Sequence, residues 1–224
     1  MTALFITSTG TDVGKTFVAR GLIRHLRDRG RAVDAIKPVV SGFTLRTAAT
    51  SDPGLLLAAL GRPTTVAEIE RISPWRFVAP LSPDLAARRE ERSVDFDALI
   101  DFCRNAVART SGILLIEGVG GVMVPLDESH TVLDWMSALH VPIILVAGNY
   151  LGTLSHTLTA LDVLARRGLK VLNVVVTGAS IAASLDDNAS TISRFAPGIE
   201  ILTLPRLSRN SFRHPAFVQM TERL

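Results

Sequence analysis

The sequence is short of three things, and each scarcity narrows what the protein can be. Its 224 residues include one cysteine, Cys103. An intramolecular disulfide and a cysteine-built zinc site are therefore excluded, and a reducing, cytoplasmic setting is expected. Long apolar runs are missing. The longest, near Ile113–Ile116 and Val141–Ala147, fall far short of the ~20 residues that span a bilayer. The opening Met1-Thr2-Ala3-Leu4-Phe5-Ile6 has no basic segment and passes at once into a Gly/Thr/Asp loop, so no secretory leader is expected. Lysine is the third scarcity. Of 24 basic residues only Lys15, Lys37 and Lys170 are lysines. Arginine fills the generic surface positions, and two of the three lysines fall inside motifs.

What is abundant is apolar. A chain 47% hydrophobic and 20% charged is not disordered. At this length one domain buries roughly 70–75% of its unfolded surface. The net charge of +3 comes from interspersed residues. The densest group, Arg88-Arg89-Glu90-Glu91-Arg92, alternates in sign and reads as a solvated helix end. Neither nucleic acid nor a membrane is an expected partner. The five histidines are scattered without metal-ligand spacing, and Trp75 and Trp135 read as packing residues.

The apolar pattern alternates between two periods. Residues 3–7, 32–37, 113–117, 141–147, 171–176 and 200–204 read as short buried strands. Phe17 to Arg29, and residues 131–139, 155–167 and 186–195, read as helices. The expected fold is α/β, a mostly parallel sheet with helices on both faces, in a single domain over 1–224. Residues 43–110 break the rhythm with helical segments at Leu55–Leu60, Thr64–Arg71, Pro83–Arg92 and Phe96–Arg109. They read as a helical excursion at one end of that domain.

The sharpest motif follows the first strand: Ser8-Thr9-Gly10-Thr11-Asp12-Val13-Gly14-Lys15-Thr16. A strand, a Gly/Thr loop, Gly-Lys-Thr and then an amphipathic helix is the context of a phosphate-binding loop. Main-chain N–H groups there can point at phosphate oxygens. Lys15 would neutralise β/γ-phosphate charge, and the Thr16 hydroxyl would ligate Mg²⁺. The usual first glycine is displaced, with Thr9 in its place and Gly10 one position later. Glu117 ends a buried strand and precedes Gly118-Val119-Gly120-Gly121, where ligands of such sheets gather. Its alternative is a strand-end acid in water. Asp52, in Ser51-Asp52-Pro53, could join it as a second metal ligand or simply cap a helix. Lys37, in Lys37-Pro38-Val39-Val40-Ser41-Gly42, would stabilise charge on a transferred phosphoryl group. Its alternative is a solvated strand-end lysine. Gly152, Thr153 and Ser155 stand at a helix start, with Thr or Ser as the cap and the end free for a carboxylate.

Together these motifs resemble the dethiobiotin synthetase family over nearly the whole chain. The matching segments are Thr11–Thr16, Lys37–Gly42, Ser51-Asp52, Pro80-Leu81-Ser82-Pro83, Glu117–Gly121 and Leu151–Thr157. The resemblance implies a P-loop NTPase fold and ATP- and Mg²⁺-dependent ring closure. In that reaction 7,8-diaminononanoate takes up CO₂ as a carbamate, ATP phosphorylates it, and the second amine closes the cyclic urea of dethiobiotin. By the same resemblance Lys37 and Lys15 are catalytic. Nucleotide would meet Asp12, Val13, Gly14, Lys15, Thr16, Phe17, Asp52, Glu117, Gly118, Val119, Gly120, Thr177, Pro205 and Arg206. Thr16, Asp52 and Glu117 would hold Mg²⁺. Ser41, Gly152, Thr153 and Ser155 would bind substrate, the last three across the interface of a homodimer.

Several positions depart from that family. Ser8 stands where its loop begins with Gly, Asp84 where it has His, and Ser155 where it has Asn. Thr177 replaces an Asn that reads adenine, and a threonine offers no bidentate amide pairing. Arg206-Leu207-Ser208-Arg209 replaces an acidic stretch. A partition-type regulatory ATPase shares the expected sheet and loop, but it carries an extra lysine early in the loop, and Ser8 to Val13 contain none. A related amidating ligase or a non-catalytic nucleotide module are the remaining alternatives.

Overall fold

The computed structural model describes residues 2–178, 184–207 and 211–222. Its strands are β1 (Thr2–Ser8), β2 (Val33–Ile36), β3 (Val39–Ser41), β4 (Trp75–Phe77), β5 (Ile113–Glu117), β6 (Ile143–Gly148), β7 (Val171–Thr177) and β8 (Glu200–Leu204). Six of them form one sheet in the order β2-β5-β1-β6-β7-β8. Every pairing in it is parallel. The helices are α1 (Lys15–Asp28), α2 (Asp52–Leu60), α3 (Val66–Ile72), α4 (Pro83–Arg89), α5 (Phe96–Arg109), α6 (Val132–Leu139), α7 (Thr153–Arg166), α8 (Leu185–Phe195) and α9 (Pro215–Thr221). None of the described helices is long and apolar enough to cross a membrane.

The central strands explain their own composition. All residues of β5 and β6 are buried, because a parallel sheet is covered on both faces. Successive side chains point to opposite faces, and the core divides accordingly. Phe5, Leu114, Ile116, Leu145 and Ala147 enter one cluster. Leu4, Ile6, Ile113, Leu115, Ile144 and Val146 enter the other. The first cluster also takes Leu57, Ile69, Ile72, Phe77, Ala86, Leu99 and Cys103. The excursion after β3 therefore shares its core with the sheet.

Helix ends follow local chemistry. Thr131 and Asp134 form a reciprocal capping box that starts α6. Ser51 caps α2, its hydroxyl accepting from the Gly54 N–H. Asp52 is thus the first residue of α2, and its carboxylate is not the cap. Gly152 precedes α7 at φ 97° with no side-chain cap, and the Thr153 hydroxyl turns back to the Gly148 carbonyl. The expected Thr/Ser cap is replaced by a left-handed glycine, and α7 begins two residues early.

Two further differences concern short elements. The excursion is not all helical, since β3 and β4 pair in parallel through Val39–Trp75, Val40–Arg76 and Ser41–Phe77. Three-residue strands are too brief to display an alternation, and their partner lies far along the chain. The expected helix to Arg92 stops at Arg89, with Glu91 left-handed at φ 53°. The helix α9 had no expectation at all. It packs on α1 where Gly21 leaves room, for a Cβ there would sit 2.0 Å from the Phe217 ring.

Candidate active site

Ligands in open parallel sheets gather at strand carboxyl ends where the strand order reverses. Here the chain passes from β1 to one side through β5 and β2, and to the other through β6, β7 and β8. The loop from Ser8 to Lys15 leaves β1 at that point. Asp12 and Gly14 have φ of 57° and 101°. Gly14 accepts that left-handed conformation without a Cβ penalty, and α1 starts on the next residue. The loop is pinned by Thr9 N–H to the Val146 carbonyl and by Val122 N–H to the Ser8 carbonyl.

Lys37 lies directly after β2, and only 2% of its side chain is exposed. Its ammonium donates to Glu117 Oε1 at 2.7 Å and to the Gly118 carbonyl at 3.0 Å. Asp52 Oδ2 lies 3.2 Å away. An ammonium has three N–H donors, and these three oxygens occupy them. Burial opposes the charge on Lys37, yet Glu117 and then Asp52 outweigh it, so its pKa is raised. Asp52 shows the mirror image. Burial raises its pKa, but Lys37 holds it below the usual range. Glu117 is 1% exposed, so the solvent readings of both Lys37 and Glu117 fall away.

Lys15 is held differently. Its Nζ donates to Ser8 Oγ at 2.9 Å and to the Gly10 carbonyl at 3.2 Å, both neutral. Burial lowers its pKa to about 8, and Lys37 pushes the same way. Glu117, Asp52 and Asp12 offset this only in part. Ser8 is fully buried, and its hydroxyl lies 2.5 Å from the Gly10 carbonyl and 2.9 Å from that of Gly120. Sequence reasoning treated Ser8 only as a departure. Its role comes from the loop folding back over it, which no local pattern reveals.

Two cavities meet at the loop. One, of about 620 Å³, is lined by Asp12, Gly14, Lys15, Thr16, Lys37, Ser41, Asp52, Val119 and Gly120, and by Val40, Pro80, Leu81 and Val124. The other, of about 500 Å³, is lined by Asp12, Val13, Gly14, Phe17, Arg20, Asn149, Tyr150, Thr177, Pro205 and Arg206. The Ser41 hydroxyl, on the lining of the first, and Glu117 Oε2, behind it, are buried without a hydrogen-bond partner. Buried polar atoms of that kind are uncommon and call for a ligand or solvent. Thr16 donates to Glu117 Oε1 at 2.6 Å. Thr16, Asp52 and Glu117 thus offer a hydroxyl and two carboxylates side by side, an oxygen-only set that fits Mg²⁺.

Comparison with known proteins decides the family. A family model described as an AAA domain matches residues 2–209. An ATP-dependent dethiobiotin synthetase BioD from a Caulobacter species is 49% identical over 207 residues, covering 92% of this chain and 89% of the relative. Its counterpart in Acidiphilium cryptum is also 49% identical, over 79% of each chain. The chain belongs to the dethiobiotin synthetase family. That is a family of ligases. Solved structures add the fold alone. The MinC:MinD cell division complex of Aquifex aeolicus aligns with TM-score 0.57 at 12% identity, covering 98% of this chain and 86% of that one. A ParA family ATPase from Chlorobium tepidum aligns with TM-score 0.53 at 14% identity over 97% and 88%. The chain therefore shares its fold with these structures, and the sequence relatives place it among the dethiobiotin synthetases.

The residues expected of a dethiobiotin synthetase fall into four groups. Lys15, Thr16, Lys37, Ser41, Asp52, Val119 and Gly120 share the first cavity with Asp12 and Gly14. Glu117 and Gly118 lie behind it, bonded to Lys37. Val13, Phe17, Thr177, Pro205 and Arg206 line the second cavity. Gly152, Thr153 and Ser155 line neither of these cavities in the single chain. Asp84 faces a separate small cavity together with His130. Cys103 lies fully buried in α5, where burial pushes its thiol up to about 12, the surroundings of a structural cysteine.

Proposed function

We propose that this cleft catalyses ATP- and Mg²⁺-dependent carboxylation and ring closure of 7,8-diaminononanoate to dethiobiotin, with ADP and phosphate as co-products. The observation that carries the reading is Lys37, buried against Glu117 and paired with Asp52 beside a phosphate loop. This arrangement fixes an ammonium, held by two carboxylates, next to the phosphate loop, and the reaction requires no covalent protein nucleophile. That suits phosphoryl transfer, which relies on positioning and charge stabilisation.

In this reading one amine of the substrate adds to CO₂, loses a proton and becomes a carbamate. A carbamate oxygen takes the γ-phosphoryl group as the bond to ADP breaks. The second amine then attacks the carbonyl carbon of the mixed anhydride and expels phosphate. Lys15 grips the β/γ-phosphates. Lys37 stabilises the carbamate and the transferred group. Its bond to Asp52 is the longest of its three at 3.2 Å, and that carboxylate is 42% exposed. This bond is the one most readily exchanged for a substrate oxygen. Ser41 supplies its unpartnered hydroxyl to the diamine or carbamate. Thr16, Asp52 and Glu117 would hold the metal ion. When bound, Mg²⁺ would draw negative charge from the phosphates.

The nucleotide's phosphates would lie over the loop, with its base in the cavity that holds Val13, Phe17, Thr177, Pro205 and Arg206. The enzyme would work in the cytoplasm as a homodimer, where Gly152, Thr153 and Ser155 of one subunit meet the substrate carboxylate held by the other. A helix N-terminus suits that anion, and Leu151 beside it is 97% exposed. The deciding experiment measures phosphate release from Mg–ATP and bicarbonate with and without the diamine, and follows dethiobiotin by mass spectrometry. Diamine-dependent release with matching product is expected. Diamine-independent hydrolysis would instead indicate a switch ATPase.

A further inference from the structure

Thr177, the last residue of β7, stands in the cavity proposed for the base, yet its hydroxyl points elsewhere. It donates to the main-chain carbonyl of Val13 in the phosphate loop and lies 3.2 Å from the Ala147 carbonyl on β6. A threonine hydroxyl has one proton to give, and both acceptors are backbone. The side chain is 9% exposed. It also flanks the left-handed glycine of the loop, because a Cβ on Gly14 would meet Thr177 Oγ1 at 3.5 Å and Cγ2 at 3.7 Å. Thr177 therefore touches the loop at the two residues that precede Lys15.

We propose that Thr177 is a positioning residue of the phosphate grip and does not select the base. Its hydroxyl ties Val13 to the end of β7. That tie holds Gly14, and with it the N-terminus of α1, where phosphate oxygens would dock. With its proton given to a carbonyl, Thr177 keeps only acceptor capacity on its hydroxyl oxygen. An exocyclic amino group satisfies that equally well on adenine or cytosine, so the side chain separates these bases poorly. The proposal rests on nucleotide use by this cleft, and it predicts that losing the hydroxyl weakens every polyphosphate alike.

The test is calorimetric binding of ATP, GTP, CTP and inorganic tripolyphosphate, which has no base, each with Mg²⁺. The proteins are wild type, Thr177→Val, Thr177→Ala and Thr177→Ser, each checked for an intact melting transition. Thr177→Val should raise all four dissociation constants by a common factor, roughly three- to tenfold for one lost hydrogen bond. Thr177→Ala gives the same answer if the branched methyl prevents folding. Thr177→Ser should stay within about twofold. A rise confined to one nucleotide, with tripolyphosphate unmoved, would overturn the proposal. So would a serine variant as weak as the valine variant, or no change in the valine and alanine variants. These measurements need no turnover. A wild-type protein that binds polyphosphates but makes no dethiobiotin would defeat the synthetase reading and leave this inference standing.

Discussion

Two lysines bury their ammonium groups in one cleft, in opposite surroundings. Lys37 sits on two carboxylates and a carbonyl, and its pKa is raised. Lys15 sits on a hydroxyl and a carbonyl, and its pKa falls to about 8. The difference is a division of labour. A buried cation needs compensating negative charge. Lys37 has it within the fold and is a permanent fixture of the site. Lys15 touches only neutral oxygens, which suits the proposed role of receiving an external polyphosphate.

The largest test of this contrast is Lys37→Ala. Turnover should fall by roughly a hundred- to a thousandfold, the cost of removing a preorganised charge from a transition state. Nucleotide binding, measured by calorimetry, should survive. Unchanged turnover would remove Lys37 from the chemistry. Lys15→Ala should do the reverse and weaken nucleotide binding by about tenfold or more, since it deletes a charge-assisted contact. An unaltered dissociation constant would contradict the role assigned to it.

Asp52→Asn acts on the internal side of the contrast. About tenfold lower activity at saturating Mg²⁺ is expected from a weakened ion pair and metal site. The same variant has a pH signature. The folded pKa of Asp52 lies below its ordinary value, near 3.9 in an unfolded chain. Its stabilisation is therefore present above pH 4 and is lost as pH falls through the folded value. Acid denaturation of the variant should be less steep in that range, and identical acid profiles would argue against the Lys37–Asp52 pair. The smallest effect belongs to Ser8→Ala. Losing one neutral anchor of Lys15 should weaken nucleotide binding by roughly three- to tenfold while leaving saturated turnover within about twofold. A larger loss of turnover than of binding would mean that Ser8 does more than steady Lys15.

Motif and periodicity carried much of this site. A Gly-Lys-Thr after a buried strand, an acid at the end of another, and lysines rare enough to be conspicuous were all visible in the chain. Lys37 and Glu117 each had a plausible solvent reading, because a strand-end charge looks the same in one dimension whether it meets water or a partner 80 residues away. Asp52 was harder still, since Ser51 and Asp52 are both good caps and only the folded helix shows which one serves. Thr177 was placed by resemblance at the base, and its bond to Val13 joins residues 164 apart.

By itself the sequence determined the parallel α/β architecture, the position of the phosphate loop and the family. These rest on local period, loop chemistry and ordered motifs, which are properties of neighbours along the chain. Tertiary structure alone decided how Lys37, Asp52 and Glu117 share charge and why Lys15 leans on Ser8. It also decided that Gly152, Thr153 and Ser155 line neither cavity of their own chain, and that β3 joins β4 outside the main sheet. Those outcomes depend on burial and on distances between remote segments, which come into being only when the sheet closes over its two cores.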